Sequence, residues 1–109
     1  MSEARVKTRV WVQMALRRGS ADGKPGAVLY HGDDDAGGIL LLLRSRGGFL
    51  ILSQTRDPNG KPAWLRLAEA ADQENTDSIV DRQRRSDPDL WVIEFEAPDG
   101  VPPFEAKIL

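Results

Sequence analysis

The run Arg84-Arg85-Ser86-Asp87-Pro88-Asp89-Leu90-Trp91-Val92-Ile93-Glu94-Phe95-Glu96 constrains the fold more than any other part of the chain. A helix C-terminus favours positive charge, which Arg84 and Arg85 supply, and Pro88 then forces Asp87 into an extended conformation. The helix stops there. From Leu90 onward the residues are branched or aromatic, and strand alternation sets Leu90 and Val92 on one face and Trp91, Ile93 and Phe95 on the other. This strand begins with both faces apolar.

Upstream, Thr8 to Arg18 fits a helical stripe (Trp11, Met14, Ala15) and also strict alternation (Val10, Val12, Met14, Leu16). Thr8 as N-cap, Arg17 and Arg18 near the end, and Gly19 as a stop favour helix, with strand as the alternative. Short strands are expected over Ala27 to Tyr30, Ile39 to Arg44, Phe49 to Gln54 and Ala63 to Leu67. The breaks between them are rich in glycine, aspartate, asparagine and proline, the chemistry of turns in an antiparallel meander. A second helix is expected from near Thr76 to about Arg85, with Ile79 and Val80 as its thin apolar stripe. Prolines in Ala97 to Phe104 point to a turn followed by an extended edge or tail. The expected architecture is a single α+β domain over residues 1–109, with 1–7 and 97–109 less regular. Its order is α-β-β-β-β-α-β, and a four-strand meander plus a C-terminal strand form one antiparallel sheet packed with two helices.

At 109 residues the chain can bury a core of its own, and without cysteine it has neither disulfides nor thiolate metal sites. A cytoplasmic location fits best, because no apolar stretch follows the N-terminal charges and Ile39 to Leu43 is too short to span a bilayer. With 15 basic and 17 acidic residues, net charge −2, nucleic acid is not the default partner. Ile39 to Leu43 and Phe49 to Leu52 are apolar on both faces, and two modest helices cover one face well or each poorly. The uncovered remainder is expected to pack against a second copy, giving a homodimer.

Gly32-Asp33-Asp34-Asp35-Ala36-Gly37 before an aliphatic strand, and then Arg84 through Glu94, resemble a small bacterial family, the domain-of-unknown-function family numbered fourteen ninety-one. Trp11 and Arg17-Arg18 extend the resemblance over most of the chain, and the Asp-Pro-Asp-Leu-Trp run is its most specific part. Tyr30-His31 stands where the family resemblance implies basic residues, and Ser86 where it implies an aromatic one. The resemblance implies a fold type and transfers no catalytic residue.

Chemistry candidates are few. His31, Asp33, Asp34 and Asp35 offer imidazole and oxygen donors to a hard divalent cation, but their spacing fits no calcium loop, and a polar turn explains them as well. A serine nucleophile would have to pair with His31, from Ser45 or Ser53, and no nucleophile-elbow motif exists. Glu94 and Glu96 share a strand face at about 7 Å, as alternation alone would place them. Arg82, Arg84 and Arg85, joined in space by Arg17 and Arg18, would make a basic patch for phosphates or an acidic protein. Trp91 is expected in the core and Trp64 at an interface, where tryptophan anchors binding. The leading reading is a non-catalytic interaction or accessory domain with no cofactor. The alternative is a small-ligand or divalent-metal enzyme using His31, Asp33 and Asp35; a weaker one is nucleic-acid binding through Arg82, Arg84 and Arg85.

Overall fold

In the computed structural model, which describes residues 6–109, the elements are α1 (Thr8–Ala21), β1 (Gly26–Tyr30), β2 (Ile39–Ser45), β3 (Gly48–Arg56), β4 (Pro62–Ala71), α2 (Gln73–Ser86) and β5 (Trp91–Glu96). Their order is the expected one, and the first segment is a helix. A single five-stranded sheet runs β1-β5-β2-β3-β4. The antiparallel meander comprises only β2, β3 and β4. Between β1 and β2 lies β5, antiparallel to β1 and parallel to β2. The sheet is therefore mixed, which corrects the expectation of a purely antiparallel one. Loop length explains the difference. Arg46 and Gly47 alone join β2 to β3 and allow only a hairpin, whereas residues 31–38 separate β1 from β2 and leave room for an intervening strand.

Alternation then divides the core in two. On one face Ile39, Leu41, Leu43, Leu52, Trp91, Ile93 and Phe95 pack under Val12 and Ala15 of α1. On the other, Leu40, Leu42, Phe49, Ile51 and Val92 pack under Val80 of α2. Each helix covers its own face of the sheet. The C-terminal tail completes the α1 face: Phe104 stands 5.1 Å from the Trp11 ring and 5.9 Å from the Trp64 ring, centroid to centroid. Trp64 donates its backbone N–H to the Lys107 carbonyl at 2.8 Å and accepts from Leu109 at 2.9 Å, so the tail also closes the outer edge of β4.

Two boundaries differ from expectation. Residues 68–71 continue β4, which carries two register shifts against β3. Ala70 consequently sits at φ 52, in the left-handed region that a side chain disfavours. The second helix begins at Gln73, because the Asp72 carboxylate accepts from the Asn75 N–H at 2.8 Å and caps it. Thr76, the expected start, is instead inside the helix, 1% exposed, its hydroxyl without a partner among the described residues. Ala70→Gly relieves the left-handed strain and is expected to raise the unfolding free energy by up to about 1 kcal/mol. A higher denaturation midpoint at unchanged slope is the expected result.

The tail is held by a buried carboxylate. Asp57 accepts from Lys107 Nζ at 2.8 Å and from the N–H groups of Asn59 and Lys61 at 2.8 and 2.9 Å. The Lys107 ammonium, then the Lys61 and Asn59 N–H groups, hold its carboxyl below the usual aspartate range despite desolvation. Because the folded value is depressed, its stabilising contribution is complete above the unfolded value of about 3.9 and disappears as pH falls through the folded one. In paired acid titrations followed by tryptophan fluorescence, the stability gap between wild type and Asp57→Asn is expected to close over that window.

Candidate functional site

Residues 31–38 form a knot between three elements. The Asp33 carboxylate accepts from the backbone N–H groups of Asp35 and Ala36 at 3.1 and 2.8 Å, and the Asp33 carbonyl accepts from Trp91 Nε1 at 2.7 Å. The Asp34 and Asp35 carbonyls accept from Arg9 and Thr8, satisfying the first N–H groups of α1 at 2.9 and 3.3 Å. Thr8 is thus the first helical residue rather than the N-cap, and its hydroxyl donates to the Gly37 carbonyl at 2.8 Å. His31 lies with its ring 4.0 Å from that of Trp91 and its Nε2 2.6 Å from Asp34 Oδ1. The triplet of aspartates is turn and capping chemistry, and among the described residues no three His, Asp or Glu side chains converge as metal ligands.

Ser45 donates to the Gly48 carbonyl at 2.5 Å within the β2–β3 hairpin, so its hydroxyl serves a turn. Trp64 is buried at 5% exposure beneath Phe104 and the tail, which corrects its assignment to an interface. Arg82, Arg84 and Arg85 are exposed on α2, but Arg17 and Arg18 lie on α1, across the sheet, and do not join them. Arg84 has its guanidinium carbon 3.6 Å from the centre of the Tyr30 ring, a cation–π contact.

Tyr30 also borders an open groove of about 500 Å³ lined by Leu29, Tyr30, Leu42, Gln73, Asp77, Val80, Asp81 and Glu94. Adjacent strands lie about 4.8 Å apart and a helix is about 10 Å wide, so one helix covers about two strands. Because α2 is centred on β3 and its core takes in Leu42 of β2 and Val92 of β5, the strand left exposed on this face is β1. A register shift between Val28 and Tyr30 brings both Leu29 and Tyr30 to this side, 44% and 40% exposed. The groove is acidic, with Asp77 and Asp81 on its wall. Glu94 forms part of its floor, 3.5 Å from Arg44. Sequence reasoning weighed Glu94 only as a catalytic carboxylate and missed Leu29, Tyr30, Asp77 and Asp81. The available signal was the thin apolar stripe of the second helix, too narrow to cover a sheet face.

Comparison with known proteins bears on the whole of this fold. The family model described as a protein of unknown function, DUF1491, matches residues 6–105. The chain belongs to the DUF1491 family. A crystal structure of a DUF1491 protein from Caulobacter crescentus CB15 is 27% identical, with a TM-score of 0.86 over 96% of this chain and 100% of that one. An NMR structure of a DUF1491 protein from the same organism is 26% identical, with a TM-score of 0.85 over 98% and 99%. The solution structure of protein Atu0922 from A. tumefaciens has the same fold at 23% identity, with a TM-score of 0.82 over 97% and 98%. No curated protein matches the chain.

The two segments that carried the DUF1491 resemblance meet in the knot. Asp33 N–H donates to the Asp89 carbonyl at 3.0 Å, and a Cβ on Gly32 would collide with that carbonyl and stand 2.6 Å from Trp91 Cδ1. Backbone and a buried indole cannot move aside cheaply. Gly32→Ala is expected to cost about 1–3 kcal/mol, whereas Gly47→Ala, whose Cβ meets nothing within 4 Å, is expected to stay within about 0.5 kcal/mol. Thermal denaturation of the two variants checks the difference.

Proposed function

We propose that this protein is a non-catalytic cytoplasmic interaction or accessory domain that receives its partner, a second copy included, in the groove between α2 and β1. One observation carries the reading: a sheet face beside a 500 Å³ groove is left with Leu29 and Tyr30 44% and 40% exposed. Apolar side chains grouped on an otherwise polar wall gain free energy when a partner covers them. The absence of cysteine suits a reducing compartment, and no helix among the described residues is long and apolar enough to cross a membrane. The competing enzyme reading would need His31, Asp33 and Asp35 free for substrate or metal. Asp33 instead serves two backbone N–H groups, and His31 is engaged by Asp34 and Trp91.

Tagged wild type, Asp77→Lys/Asp81→Lys and Asp35→Ala proteins, used for capture from host lysate with nuclease and followed by mass spectrometry, test the reading. Capture of one stoichiometric protein, lost in the groove variant and kept in Asp35→Ala, is the expected result. Calorimetric binding of magnesium or calcium that Asp35→Ala abolishes, with capture unaffected by the groove charges, would overturn it in favour of the metal enzyme.

A further inference from the structure

A second surface of this molecule has the complementary character to the groove. The residues from Val6 to Ala21 include four cations, Lys7, Arg9, Arg17 and Arg18, and no carboxylate. The buried side of α1 is made by Thr8, Val12, Ala15 and Gly19. At 100° per residue, the opposite ridge is made by Val10, Met14 and Arg17, at spacings of four and seven. An outward ridge of a surface helix is ordinarily polar. Here Val10 and Met14 are 36% and 57% exposed, and Val6, just before the helix, is 56% exposed. Among the described residues, Lys7 meets only a distant, solvated partner, Asp35 at 3.6 Å.

The dimensions also agree. The groove runs between α2 and exposed β1, over Leu42 and Glu94. The groove wall from Gln73 to Asp81 rises about 12 Å along α2, and the ridge from Val10 to Arg17 about 11 Å along α1. The same groove facing a copy of itself would set Asp77, Asp81 and Glu94 against like charges, which disfavours a two-fold contact there.

Taking the groove as the docking surface, we propose that its occupant is the outward ridge of α1 from a second copy of this chain. Val10 and Met14 cover Leu29 and Tyr30, and the α1 arginines face Asp77, Asp81 and Glu94. The contact is heterologous: ridge and groove lie on opposite faces of the sheet, so each copy can give one and receive one. Assembly passes beyond the dimer unless a ring closes, and it weakens with salt.

Sedimentation velocity on the full chain, from micromolar to millimolar concentration, tests this with two surface variants, Asp77→Lys/Asp81→Lys in the groove and Met14→Glu/Arg17→Glu on the ridge. Circular dichroism first establishes that both keep the fold. Wild type is expected to grow in mass with concentration while each variant alone stays monomeric. Mixed in equal amounts, the two variants are expected to form a one-to-one complex and nothing larger, since one retains only the ridge and the other only the groove. Wild type that stays monomeric at millimolar concentration overturns the proposal, as do variants that fail to complement. Self-association that survives the ridge variant and is lost in the groove variant also overturns it, while leaving the groove as a docking surface for another occupant. A monomeric wild type that binds phosphatidylglycerol vesicles through the ridge would replace the second copy with an anionic lipid surface.

Discussion

Parallel pairing of β2 with β5 through the middle of the sheet is the constraint on which the other elements depend. A parallel pair cannot be closed by a hairpin, so the chain must leave β2, build β3 and β4, and return across the sheet through α2. That return fixes α2 on one face and leaves the other to α1. The paired strands are the most apolar in the chain, and every residue from Ile39 to Leu43 and from Trp91 to Ile93 is buried. Removing β5 would strip β1 of its neighbour and open both halves of the core together. The strand that the sequence announces most clearly is also the one that the topology can least spare.

The register of β5 is pinned from outside the sheet. Trp91, whose ring packs with Ile39 and Ile93, donates its indole N–H to the Asp33 carbonyl, and that same loop presents the Asp34 and Asp35 carbonyls to the first turn of α1. One eight-residue connection, 31–38, therefore couples the start of α1, the start of β2 and the start of β5. Three acidic residues in so short a loop invite a metal reading from sequence, but the Asp33 carboxylate meets backbone N–H groups, that of Asp34 meets His31 and that of Asp35 faces Lys7. Asp33 is kept short by geometry: its carboxylate reaches the N–H groups two and three residues onward, which a longer glutamate would overshoot.

Much of the local structure was legible in the sequence because it is written in short-range chemistry. The stop at Pro88, the two faces of Trp91 to Phe95 and the helical choice for Thr8 to Arg18 each follow from neighbours within a few residues. Strand order was not legible, since alternation tells which face a side chain takes and nothing of which strand lies alongside. The burial of Trp64 was hidden for a related reason: its cover arrives from residues 104–109, some forty positions away, in a proline-rich segment without a strand pattern. Residues 68–71 fell outside the expected strand because alanine and glutamate are weak strand formers, while the pairing of Ala71 with Phe49 holds the backbone extended. For the groove, the apolar deficit of α2 was visible, but which strands it would leave bare depends on where β5 inserts.

A net charge of −2 conceals a segregation that the fold creates. The cations of α1 occupy one side of the sheet, and Asp77, Asp81 and Glu94 line a groove on the other, with Arg82, Arg84 and Arg85 following toward the end of α2. Helices on opposite faces of a sheet have their axes about 20 Å apart, well over two Debye lengths at physiological salt, where screening is about 8 Å. The two patches therefore do little to neutralise each other within one molecule. Apart from Glu94 beside Arg44 and Lys7 beside Asp35, the charges of each patch must find their counter-charge in free ions or on another surface, and an arrangement that brings unlike patches of two molecules together releases those ions while covering the exposed valine, methionine, leucine and tyrosine beside them. Had the same charges been interspersed on both faces, the composition would be identical and the surface would carry no such drive. The placement of β5 between β1 and β2 decides this as well, because it sets exposed β1 beside the groove where the carboxylates of α2 already stand.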